Sequence, residues 1–165
     1  MTTKTQLLQE LTHEFETTKK FVERFPNDKN DYAPHEKSMK LMPLATHIVE
    51  IFAWPQIILN TPELDFAKGE YQPTILNNKQ ELINKLNQDF ENGKKALEKY
   101  DDNLNEHRWQ MKMGDQVLQD WTKYEAVRHS INQIVHHRAQ LGVYYRLLNI
   151  PVPGSFGPSA DDNSF

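Results

Sequence analysis

The chain predicts an all-α fold, a four-helix bundle, on three observations. Four separated stretches repeat apolar residues three and four apart, the spacing of one helix face at about 100° per residue. Two long connectors, PNDKNDYAPHEKSMK and NTPELDFAKGEYQPT, divide them and are too long for tight antiparallel turns. The last stretch, Trp121 to Leu148, contains no proline and opens on a capping box, with Thr122 as N-cap and Glu125 three residues on.

The first helix is expected near residues 5–25, where Leu7, Leu8, Leu11, Phe15, Thr18, Val22 and Phe25 recur and Pro26 stops the run. His13-Glu14 lies on it, but no second histidine completes an HExxH zinc motif, and the pair reads as surface. In the connector that follows, Pro34 favours extended backbone and His35 alone is weak evidence of a site. The second helix is expected near 41–59, with Pro43 tolerated in its first turn. Leu44, Ile48, Ile51 and Phe52 form its apolar face, His47 sits beside them, and Pro55 kinks or divides the helix after Trp54. Glu50 lies three residues after His47, on nearly the same side. A glutamate so placed is more often a solvated charge or an ion-pair partner than a catalytic base.

The third helix, near 78–99, has Glu81 in the capping-box position and Leu82, Leu86, Phe90, Gly93 and Leu97 along its face. Trp109, Met111 and Met113 then alternate with polar residues up to Gly114-Asp115, as in a short extended segment, a turn or an irregular lid. The fourth helix, near 122–148, carries the stripe Val127, Ile131, Ile134, Leu141, Tyr145 and Leu148, and Trp121 is placed to staple onto Ala126. The tail is rich in proline and glycine and is expected to anchor through Ile150, Val152 and Phe156.

The fourth helix also bears the polar groups that suggest chemistry. Gln133 and His137, four apart, project side by side on the flank of the stripe, a spacing suited to one metal ion. His129 and His136 point away from that stripe. His47 on the second helix is the natural third ligand, since bundles house metal sites on facing helices. Any one of these histidines alone is more often a hydrogen-bonded core residue. Arg138 projects toward the apolar stripe and needs an acidic or carbonyl partner there.

Composition narrows the function. At 165 residues, 1–165 form one domain long enough to bury a full core. There is no cysteine, so disulfides, thiolate zinc sites and cysteine nucleophiles are excluded. No membrane association is expected, because no stretch has transmembrane length, and the polar start lacks a signal-peptide core; a cytoplasmic address is expected. A net charge of −4 without a basic run argues against nucleic-acid binding. No phosphate-binding loop, serine elbow or internal repeat is present.

PHEKSMKLMPLATHIVEI, ELDFAKGEY and above all NQIVHHRAQLGVYYRLLNIPVPGSFGPSADD resemble the DinB family, the DinB/YfiT-like metalloenzymes, over nearly the whole chain. The resemblance implies up-down-down-up helix order, a homodimer, and a divalent metal, typically nickel or zinc, held by three histidines. The first of these matches His47 and the last matches His137; the middle one falls on Gln133. Glutamine offers a neutral amide oxygen, a poorer donor than imidazole for either metal. Similar proteins include thiol-dependent S-transferases, isomerases and hydrolases acting on small molecules. The resemblance thus implies an enzyme whose metal, at His47, Gln133 and His137, activates a low-molecular-weight thiol or water, with Glu50 as general base. The alternative is a non-enzymatic, dimeric, stress-related protein with a degenerate metal site or a ligand pocket.

Overall fold

A computed structural model describes residues 2–69 and 71–163. The Thr2 hydroxyl caps α1 (Thr3–Glu23) by accepting from the Thr5 amide, which satisfies one of the four orphan N–H groups at a helix start. Along α1, Leu7, Leu11, Phe15 and Val22 face inward, as their spacing requires. Glu14 is buried with them, at 3% exposure, so the expectation that His13-Glu14 is surface is wrong for the glutamate.

The second helical stretch is two helices, α2 (Leu41–Ile51) and α3 (Trp54–Asn60), meeting at 46°. Pro55 divides them: it has no N–H to donate and sits in the first turn of α3, where none is needed. α4 (Lys79–Glu98) starts at Asn78, whose side-chain oxygen accepts from the Glu81 amide while the Glu81 carboxylate accepts from the Asn77 amide and the Asn78 carboxamide. Gly93 lets α4 approach the α2–α3 break. A Cβ there would lie 2.1 Å from the Phe52 carbonyl oxygen.

The all-α expectation is overturned by a three-stranded mixed sheet, so the protein is α/β in composition. β1 (Glu63–Asp65) pairs parallel with β2 (Arg108–Met113), and β2 pairs antiparallel with β3 (Gln116–Thr122), in the order β1-β2-β3. Gly114, with φ 60°, turns the β2–β3 hairpin, and the register slips between Met111 and Lys112. One oxygen of Asp65 accepts from the Gly114 and Ala67 amides, which ties the hairpin turn to the second connector. β1 escaped the periodicity because three residues in a proline-flanked connector cannot show alternation. β3 is exposed along most of its length and carries no buried face to detect. The extended segment expected around Trp109–Met113 is the strand β2.

β3 runs directly into α5 (Lys123–Leu147), started by the expected capping box of Thr122 and Glu125. Trp121 pairs across the hairpin with Trp109 and lays its ring on His129, with centroids 4.5 Å apart. α2 packs on α4 and α5, and α1 packs on the same two helices, closing one core through Leu44, Ile48, Leu86, Phe90, Ile134 and Tyr145.

Candidate functional site

The site lies where α2 faces α5. Leu44 and Ile48 on α2 and Ile134 and Leu141 on α5 are buried, and this packing carries His47 and His137 inward on the flanks of the two stripes. Their rings meet edge to face, with centroids 4.7 Å apart. The two sequence-predicted histidines are therefore brought together.

Gln133 is engaged differently. Its amide nitrogen donates to His129 Nε2 at 3.2 Å, one turn back on the same helix. His136, expected to point elsewhere, stands edge to face against His137, with centroids 4.9 Å apart. Gln140 joins that pair: its nitrogen donates to His136 Nε2 at 3.0 Å and its oxygen accepts from His137 Nδ1 at 3.2 Å. The proton of neutral His137 is thus held on Nδ1, which leaves the Nε2 lone pair to face a ligand.

Burial pulls His47 below its ordinary value, and His137 beside it adds to the effect while Glu50 opposes it. Burial lowers His137 too, against the hydrogen bond to Gln140. Both rings are driven toward the neutral, lone-pair-bearing form that a metal ion requires.

Glu50 is buried at 7% exposure and lines a cleft of about 690 Å³ with Thr46 and His47. One carboxylate oxygen accepts from the Tyr71 hydroxyl at 3.1 Å, the other from the Thr74 amide at 2.8 Å. Burial, with Glu50 adding to it, pushes the Tyr71 phenol up to about 12. The carboxylate therefore fastens the second connector as the opposite wall of the cleft. Asn30 adds a further tie by donating to the Asn77 carbonyl at 2.7 Å. Tyr71, Thr74 and Asn30 were missed as site residues. The signal was faint: a connector too long for a turn, with Tyr71 in it and Leu76 just beyond it.

The donor set fits a divalent cation in part. His47 and His137 bring two imidazoles together, while Gln133 commits its amide nitrogen to His129. Among the described residues no three histidine, cysteine, aspartate or glutamate side chains converge as a metal cluster. Arg138 belongs to a separate structural contact. It is buried and meets the Glu14 carboxylate at 2.6 Å, the Glu14 carbonyl at 3.3 Å and the Thr18 hydroxyl at 3.1 Å, so both expected partner types are present.

The family model for the DinB family matches residues 1–161. The chain belongs to the DinB family. DinB-like crystal structures share the fold: one from Bacillus subtilis (TM-score 0.69, 18% identity, covering 87% of this chain and 92% of that one) and one from Bacillus cereus (0.67, 20%, 90% and 94%). A member assigned to the DinB family from Exiguobacterium sibiricum is similar as well (0.67, 16%, 90% and 93%). A comparison with curated proteins finds no match. Among the described residues no single helix is long and apolar enough to cross a membrane.

Proposed function

We propose that this DinB protein is a metal-dependent enzyme acting on a small molecule in the cleft beside His47. The observation that supports the reading best is the contact of the His47 and His137 rings from two different helices, both driven neutral by burial. His47 and His137 would hold nickel or zinc, with the Gln133 amide oxygen as a weaker third donor. Such an ion supplies Lewis-acid activation of a coordinated water or low-molecular-weight thiol. The chain's own residues do the rest. Gln140 fixes the His137 tautomer, the Glu50 carboxylate positions the cleft wall, and its remaining acceptor sites face the cleft as a general base. We also propose a homodimer, as the resemblance to the family implies, and a cytoplasmic address.

A second reading, a ligand-binding protein without catalysis, is favoured by one observation: the Gln133 amide is turned onto His129. Calorimetric titration of tag-free protein with nickel or zinc separates the two. Binding is expected in the wild-type chain, and Gln133→His is expected to tighten it more than about tenfold by restoring a third imidazole. Absence of binding in both proteins would remove the metal reading and leave the ligand pocket.

A further inference from the structure

The cleft beside His47 carries a charge arrangement that selects among ligands. Its walls are mainly apolar, built by Met39, Met42 and Pro43 on one side and Pro73, Ile75 and Leu76 on the other. At its rim Lys40 and Asp31 meet at 2.7 Å and neutralise each other. That leaves Glu50. None of the ion pairs among the described residues includes it. Its hydrogen-bond donors among the described residues, the Tyr71 hydroxyl and the Thr74 amide, are neutral.

A carboxylate has about four acceptor sites, and these two donors fill half of them. With no metal ion on His47, whose ring burial drives toward the neutral form, this nearly buried carboxylate faces no opposite charge, a desolvation cost that a cationic ligand would offset. Resting on the reading of this cleft as the small-molecule site, we propose that it takes an apolar ligand bearing one positive charge, an amine or ammonium, with Glu50 as the counter-ion. An anionic ligand of equal size would bring like charge against Glu50. A neutral one would gain only apolar burial.

Three probes of equal chain length test this: hexylamine, hexanol and hexanoate, titrated calorimetrically into tag-free protein at neutral pH with a chelator present. Hexylamine is expected to bind at least about tenfold tighter than hexanoate, the scale of a partly solvated charge contact. Glu50→Gln is expected to abolish the preference for the amine over hexanol. Ile75 is 85% exposed on the rim, so Ile75→Arg should leave the fold intact while weakening the amine several-fold. Hexanoate binding as tightly as the amine would overturn the proposal. So would an amine preference surviving Glu50→Gln, an amine indifferent to Ile75→Arg, or no binding of any probe at millimolar concentration. Nickel titration of the same protein keeps the two readings apart: metal binding without amine binding removes only this inference, and the converse removes only the metal.

Discussion

Three histidines of α5 and its neighbour α2 are held below their ordinary value of 6.5 in the fold: His47 and His137 by the causes given above, and His129 by burial alone. Once unfolded, each titrates near 6.5, so between that pH and the lower folded value the unfolded chain binds more protons than the native one. Stability then rises with pH through this window and is lost as pH falls from about 6.5 toward the folded values. The expected result is a lower urea midpoint at about pH 5.5 than at about pH 7.5, in chelator, with the difference reduced by His47→Gln. Equal midpoints would refute it. The carboxylates that hydrogen bonds hold low, Asp65 and Asp161 among them, lose their contribution only at more acid pH and do not mask the effect. At this scale the sequence was informative where helical rotation applies. His47 and His137 could be paired because each sits beside a buried stripe. What rotation could not give was the choice each side chain makes among nearby partners. Gln133 turned to His129, and Glu50 took its partners from a connector with no period to read. Glu14 was within reach of rotation, since it stands three residues from Leu11 and four from Thr18, yet its charge suggested surface.

Among the elements, α4 comes close to the α2–α3 break where it crosses it. Helix propensity alone predicts that Gly93→Ala should stabilise α4 by up to about 1 kcal/mol. The contact predicts the opposite, because the new methyl group would lie 2.1 Å from a backbone oxygen and the two helices would have to separate. A loss of about 1–3 kcal/mol or more in chemical denaturation is expected, on the scale of core overpacking. A gain would show that the helices part freely. The helices themselves were legible because caps, prolines and stripes agreed: Asn78 with Glu81, Thr122 with Glu125, and Pro55 at the break. The sheet was not. Only β2 left a trace, in the alternation of Trp109, Met111 and Met113; β1 has only three residues and β3 buries no face, so neither the partners nor the sheet could be read. Its parallel pairing depends on contacts some 47 residues apart, Glu63 with Gln110, which local pattern cannot carry.

For the whole molecule, the core closes within one chain, yet the outer face of α5 stays apolar near its end. Val143 and Leu147, one helical turn apart, are 58% and 55% exposed, and Phe156 on the adjoining tail is 73% exposed. The tail is not loose there: Arg146 grips Asp161 at 2.6 Å, and the same carboxylate accepts from the Val152 amide, so Phe156 projects from a fastened loop. A preformed apolar surface costs little entropy to bury, which is the condition for a stable isologous contact. The proposed homodimer should use this face and bury more than about 1,000 Å² in total. Light scattering at tens of micromolar is expected to give near twice the chain mass of 19.4 kDa. Val143→Glu combined with Leu147→Glu should return the monomer mass without unfolding, since both side chains face solvent in the single chain. A wild-type monomer would remove the dimer. A variant that stays dimeric would move the interface to another face.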